Sequence, residues 1–420
     1  MMKPSFDLTS GVSGTVQDGP APAEVRVPLS GHSTKLKKKA EVAAGAKLAE
    51  HPDPGVGDAH SPVEGVVTEV DPGFIAVEPR SLSPEPEPEE KPDNPGGEEA
   101  EGEKPKKPAK KKVEKIPAEQ IDVTNLAGDE LLAALKSLGV DTGGFSRAAT
   151  LIINGVNPEP GVSAAEQILK DNRGTLEKGL EALQKIVSAS TTVLALAEGS
   201  GASLSGASTA YVKPVYPNSV DPLVIKAVTG RETQDGVTVV SVHDLYAVGK
   251  AAETGSPVTE TIITVGGINY RVRVGTPVED LLKHAGLSAQ PGDRVILGGP
   301  MRGEAIYSTA QGVGKRDFGL CVIPKDAFPP VTDTACLNCG ECVQHCPARL
   351  MPNMLGRFAE FKMFAKAREY GLDACFECGM CGYYCTARRP LLQYIRLAKS
   401  ELAAMEASEE AEAPEEEAAA

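Results

Sequence analysis

Residues 336–347 read CLNCGECVQHCP, and residues 375–386 read CFECGMCGYYCT. Each stretch sets four cysteines in the order C-x2-C-x2-C-x3-C: Cys336, Cys339, Cys342 and Cys346, then Cys375, Cys378, Cys381 and Cys385. The first run closes on Pro347, the second on Thr386. This is the spacing that holds [4Fe–4S] cubanes in bacterial two-cluster ferredoxins, and here it occurs twice. Two residues between cysteines let one tight loop wrap a cubane and aim thiolates and backbone N–H groups at it. Gly340 and Gly379 ease that wrapping. A fourth cysteine three residues on has left the loop and reaches the neighbouring cluster. Cys336, Cys339, Cys342 and Cys385 are therefore expected around one cluster, and Cys346, Cys375, Cys378 and Cys381 around the other. Zinc is the rival, but its sites pair four ligands in two separated C-x2-C units. A zinc-stabilised scaffold stands as the alternative from the binding class, and metal analysis separates the two.

Moving outward, Met354, Phe358, Phe361 and Ala365 repeat at helical spacing between the runs, and Gly371 suits the helix end. RPLLQYIRLAKSEL from Arg389 is helical again. Residues 326–402 thus read as an α-helical ferredoxin domain. The ninth cysteine, Cys321, is expected as a small buried apolar residue. His345 reads as a surface group, and Arg388 and Arg389 either raise a cluster potential or form a solvated helix end. Tyr383 and Tyr384 are expected to pack against the cluster loop, with an electron exit as the alternative.

A chain of 420 residues, 41% of them hydrophobic, suggests two to four domains. The net charge of −15 argues against a nucleic-acid partner, which needs a basic face. SLSPEPEPEEKPDNPGGEEAEGEKPKKPAKKKVEK from Ser81, acidic first and then basic, nets only −2 of that charge, and the Glu/Ala tail at 403–420 nets −7. The first of these opens a disordered or proline-stiffened linker over 81–118. Its basic end, Lys104–Lys115, reads as a solvated tether, with contact to anionic lipid as the alternative. No run approaches the ~20 apolar residues that span a bilayer, and the opening residues lack a signal-peptide layout. A soluble or peripheral chain in a reducing compartment is expected, where nine cysteines make a poor disulfide framework.

Residues 1–80 carry short alternating strands, VRVPLSG from Val25 and PVEGVVTEVDPGFIAVEP from Pro62. Over 119–256 helices and strands alternate. Leu131, Leu132, Leu135 and Leu138 share a helical face ended by Gly139, and Leu176, Leu180, Leu183 and Val187 another. TLIINGV, TTVLALA and VTVVSV are strands, and HDLYAVGKAAE is a helix. That order predicts an α/β domain with a largely parallel sheet. Residues 257–325 open on a hairpin turning at Gly266 and Gly267, then a helix, as in a β-grasp module.

Together these modules resemble the C subunit of the Rnf ion-translocating electron-transport complex, and more distantly the flavin- and NADH-binding subunit of respiratory complex I. VPLSGH from Val27, SPVEGVV from Ser61, IINGVNPEP from Ile152, VYPNSVDPLVIKAVTGRE from Val215, VRVGTPVEDLL from Val272, GGPMRG from Gly298 and the cysteine runs carry the resemblance. It implies a barrel-sandwich hybrid at 1–80, an FMN/NADH-type domain at 119–256 and a soluble-ligand-binding β-grasp (SLBB-like) module at 257–325. It also implies a flavin and nucleotide site on Gly143, Gly144, Phe145, Asn154 and Glu159. The family's glycine loop reads roughly GGAGFPT, where this chain has VDTGGFSRAAT, with Asp141 and Thr142 replacing the leading glycines. Asn157 stands where the family's N-G-x-E-x-E-P stretch has its first acid. An added Cβ and carboxylate beside a phosphate argue against FMN.

The expectation is a peripheral subunit at the cytoplasmic face of the inner membrane, with two [4Fe–4S] clusters relaying electrons. Its partners would be other Rnf-type subunits and a ferredoxin, a cytochrome or NADH. The alternatives are an FMN-dependent NADH dehydrogenase subunit and a soluble dicluster relay like that of heterodisulfide reductase.

Overall fold

The structure, a computed structural model, describes residues 6–9, 14–80, 115–332 and 334–412. The expected linker as far as residue 114, and the tail from residue 413, lie outside the described residues.

Near the N-terminus, Val25–Pro28, Phe74–Pro79, Gly65–Asp71 and Glu41–Val42 form an antiparallel sheet in that order. Lys47–Ala49 pairs separately with Ala59–His60. Alternation works as the pattern predicts: Val25 and Val27 point into a core with Leu48, Val67, Ile75 and Val77. Residues at the linker's end also belong here. The Ile116 N–H donates to the Glu41 carbonyl at 2.9 Å, and its own carbonyl accepts from Ala43 at 2.9 Å. Ile116, the first branched apolar residue after the lysine run, packs against this core.

The α/β part is a four-stranded, fully parallel sheet ordered Ser208–Val212, Thr191–Ala197, Thr150–Asn154, Val237–Ser241. The order reverses between Thr150–Asn154 and Val237–Ser241, the point in an open α/β sheet beyond whose carboxyl ends ligands bind. Helices Arg173–Val187 and Val242–Thr254 cross where both carry glycine. A Cβ on Gly249 would lie 2.1 Å from the Thr175 carbonyl oxygen.

A six-stranded sheet follows, in the order Gln17–Asp18, Ile268–Arg273, Glu260–Val265, Gly319–Ile323, Arg294–Leu297, Glu304–Ala305. Its hairpin turns on Gly266 and Gly267, at φ 58° and 84°, which suits a two-residue loop with both φ positive. Gln17–Asp18 joins this sheet in parallel, so the start of the expected 1–80 unit reaches past its own sheet to a different one.

The last part is helical. The single helix expected from Met354 to Gly371 is two helices, Pro352–Glu360 and Phe364–Glu369. Lys362 at φ 55° ends the first, with Met363 N–H donating to Phe358 O at 2.8 Å and Lys362 N–H to Ala359 O at 3.0 Å. That is the Schellman pattern, formed on lysine instead of glycine. It turns Phe361, expected on the packed face, out to solvent. The final helix, Leu391–Glu412, runs ten residues into the expected tail, because alanine and glutamate are strong helix formers and Leu402 stays buried. Among the described residues no helix is long and apolar enough to cross a membrane.

Candidate metal centre

The two cysteine runs fold alike. Asn338 and Glu377 take φ 53° and 52°, Gly340 and Gly379 83° and 76°, and Arg349 and Arg388 59° and 54°. Each first cysteine accepts a backbone N–H from two residues on: Asn338 to Cys336 Sγ and Glu377 to Cys375 Sγ, both at 3.4 Å. A short helix follows each loop, Glu341–Gln344 in one and Met380–Tyr383 in the other. Each fourth cysteine accepts from four residues on, Leu350 to Cys346 Sγ and Arg389 to Cys385 Sγ, again at 3.4 Å.

The runs exchange their fourth members. Cys336, Cys339 and Cys342 line one cavity with Cys385. Cys375, Cys378 and Cys381 line another with Cys346. Electrostatics follow the same grouping. Burial first, then Cys385, Cys336 and Cys339, push the Cys342 thiol up. Burial pushes Cys378 up to about 11, with Cys375 and Cys346 adding to it. Burial raises Cys381 too, with Cys375, Cys378 and Cys346 adding to it. Four thiolates cannot share such a space unless a cationic core sits among them, because only that charge offsets burial and mutual repulsion. Among the described residues no three His, Cys, Asp or Glu side chains converge as on a single ion. A cubane does not require this, since each thiolate grips a separate iron. The donor set therefore fits [4Fe–4S] clusters better than zinc.

Supporting residues went unread in the sequence. Glu377 holds its left-handed backbone through Lys399 Nζ at 2.8 Å and Arg396 Nε at 3.2 Å. Burial pushes its carboxyl up, but these cations outweigh that and hold it below the usual range. Lys399 also donates to the Cys375 carbonyl at 3.0 Å. The buried Tyr216 hydroxyl donates to the Cys378 carbonyl at 2.5 Å. Arg389 is no solvated helix end: it is buried, bonded to Glu360 at 2.6 Å and to the Thr334 carbonyl at 3.0 Å. His345, expected free at the surface, stacks on Tyr384 with ring centroids 3.5 Å apart. Cys321 is half-buried on its strand, its thiol pushed up to about 11 by burial. The two sites differ in shelter, for Cys339 is exposed while Cys378 and Cys381 are buried.

The residues expected around a flavin engage other partners. Gly143 and Thr142 both donate their N–H groups to the Gly55 carbonyl, at 2.9 and 2.8 Å. Asp141 accepts from Gly57 N–H at 2.9 Å. The loop's phosphate-binding donors are thus spent on the N-terminal part, and Phe145 is buried in the α/β core. Asn154 donates to the Ser219 carbonyl at 2.9 Å and to Asp221 at 3.1 Å. Glu159 accepts from Met301 and Arg302 N–H groups at 2.7 and 2.8 Å, tying the GGPMRG loop to the sheet end. Asn157, in the acid's place, donates its amide to the Leu8 carbonyl at 2.8 Å. Leu8 lies buried among Ile152, Val156, Val212, Tyr216 and Met380, so the chain's own N-terminal segment fills space between the parallel sheet and the second cysteine loop. Phe6 packs edge-on against Tyr383. As placed, these residues do not fit FMN.

Residues 330–386 match the family model of a 4Fe-4S dicluster domain. Over 320 residues the chain is 32% identical to the C subunit of the ion-translocating oxidoreductase complex of Edwardsiella ictaluri (strain 93-146), a match covering 69% of this chain and 40% of that protein. The chain is a homologue of these C subunits. That of Haemophilus influenzae (strain 86-028NP) is 31% identical over 278 residues, covering 60% of this chain and 42% of its own length. The chain thus spans about two fifths of the length of these relatives. Among solved structures, an NAD+-reducing [NiFe]-hydrogenase in the H2-reduced state is similar at TM-score 0.41 and 14% identity, covering 67% of this chain and 64% of that one.

Proposed function

We propose that the chain is the peripheral iron–sulfur subunit of a membrane-bound, ion-translocating oxidoreductase complex of the Rnf type. It relays single electrons between a soluble redox partner and membrane subunits. The observation that supports this best is the exchange of fourth cysteines between the two runs, which sets two four-thiol cavities side by side. Cys336, Cys339, Cys342 and Cys385 would hold one [4Fe–4S] cluster, and Cys346, Cys375, Cys378 and Cys381 the other. When bound, each supplies one-electron exchange at iron. The protein sets the potentials: N–H groups of Asn338, Glu377, Leu350 and Arg389 aimed at sulfur favour the more negative reduced state and raise them. Burial of Cys378 and Cys381 works the other way at the second site.

In this reading the N-terminal sheets are a barrel-sandwich hybrid, the parallel sheet is a flavin/NADH-type domain serving as scaffold, and the six-stranded sheet is an SLBB-like β-grasp. The protein sits on the cytoplasmic side of the inner membrane. Electrons enter at the clusters from a ferredoxin- or cytochrome-like donor, without NADH or FMN. The test is iron analysis and spectroscopy of Cys339→Ser and Cys378→Ser. Each should fall from about eight irons per chain to about four and stop electron transfer through the protein. Stoichiometric zinc in the unaltered protein, or transfer retained in both variants, would sink the proposal. Yellow flavin released on denaturation would overturn the flavin-free part alone.

A further inference from the structure

Beside the second cysteine loop lies a cleft of about 1390 Å³ counted to its open mouth, against about 360 and 390 Å³ for the cysteine cavities. It runs between the six-stranded sheet and the helical part, and Gly379 and Gly382 of the second run form part of its wall. Three arginines line it, Arg294, Arg388 and Arg389, and among the described residues no Asp or Glu does, in a chain of net charge −15. The rest of the lining is largely apolar, Met301, Phe328, Tyr383 and Leu392 among it.

Arg389 is neutralised by Glu360. Arg294 and Arg388 are half-buried and have no carboxylate within ion-pair reach among the described residues. The repeat supplies an internal comparison. Arg349 occupies the same place in the first run with the same left-handed backbone, and its guanidinium grips Glu232 at 2.9 and 2.7 Å. Among the described residues, Arg388 presents that fork to the cleft with no acid opposite it. A half-buried guanidinium in an apolar wall is costly unless an anion completes it, and its planar fork suits a carboxylate, sulfonate or phosphate.

We propose that this cleft is a binding site for a small organic anion with a planar aromatic body. Arg294 and Arg388 take the acid group, Phe328, Tyr383, Met301 and Leu392 take the body, and the ligand rests against the second cluster's loop. The inference goes beyond the relay and does not depend on its direction or partners.

The test is calorimetric titration of the full-length, cluster-loaded protein with anthraquinone-2-sulfonate and with neutral 2-hydroxymethylanthraquinone. The sulfonate should bind at one site and the neutral analogue about tenfold or more weaker. Arg388→Gln and Arg294→Gln should each weaken the sulfonate about tenfold, with Arg388→Lys recovering part of the loss and Arg349→Gln changing nothing. Arg294 lies outside the cysteine runs, so its variant stays informative if Arg388→Gln loses iron. Binding should shift the resonance of the reduced second cluster and leave the first unmoved. Equal affinity for the charged and neutral compounds, or unchanged binding in the Arg294 and Arg388 variants, overturns the proposal. So does a cleft that captures an acidic polypeptide while ignoring the small anion.

Discussion

At the scale of single residues, the grouping of the eight cysteines, which the structure sets in the same two groups, was legible because it follows from a fixed spacing that survives in one dimension. What steadies the loops was not, because it comes from far along the chain. Tyr216 lies 162 residues from Cys378 and still bonds its carbonyl. Nothing in VYPNSVDP marks the tyrosine as more than a core aromatic. Tyr216→Phe should lower stability by about 1–3 kcal/mol, because it leaves a buried carbonyl without a donor. Denaturant unfolding of the cluster-loaded protein measures this; a change within a few tenths would show that the bond carries no weight. Asn157 shows the converse difficulty. Read along the chain it is a missing acid, whereas in the fold it is a gained amide, since a carboxylate could not donate to Leu8.

At the scale of elements, periodicity found strands and helices well where one face is buried. It failed where a turn uses an untypical residue. The break between Pro352–Glu360 and Phe364–Glu369 was invisible because a lysine occupies the left-handed position that glycine usually marks. Lys362→Gly should therefore stabilise the helical part by about 1 kcal/mol, read as a rise in thermal midpoint with unchanged iron content. A fall in the midpoint would mean that the lysine side chain contributes more than its backbone strain costs. The start of the tail was obscured for another reason. Composition set a Glu/Ala tail apart from residue 403, yet Leu391–Glu412 is continuous helix anchored at its start by Leu391, Ile395, Ala398 and Leu402. Residues of high helix propensity simply extend an element that tertiary packing has already nucleated.

At the scale of the whole molecule, what could not be read along the chain is how it returns between its parts. Gln17–Asp18 pairs into a sheet built 250 residues later, and Leu8 plugs the parallel sheet's end. One junction also titrates. Glu119 accepts from His60 of the N-terminal part at 3.0 Å and from Ser137 of the first α/β helix, and Lys47 stands 3.4 Å away. Burial pushes its carboxyl up, but these partners win and bring it down from 4.5 to about 2. Its folded value is depressed, so its contribution is complete above 4.5 and is lost as pH falls toward 2. Unfolding free energy should fall across that window, and Glu119→Gln should flatten the fall. An unchanged slope would place the acid sensitivity elsewhere.

The unequal shelter of the two cysteine sites has a practical side. Dissolved oxygen meets Cys339 at the surface and must penetrate the fold to meet Cys378 and Cys381. Left in air, the brown colour should fade in two stages, a fast half and a slow half, with Cys339→Ser abolishing only the fast one. A preparation that is half bleached is then not a half-active population. It is a uniform one in which every molecule has been cut at the same end of its wire.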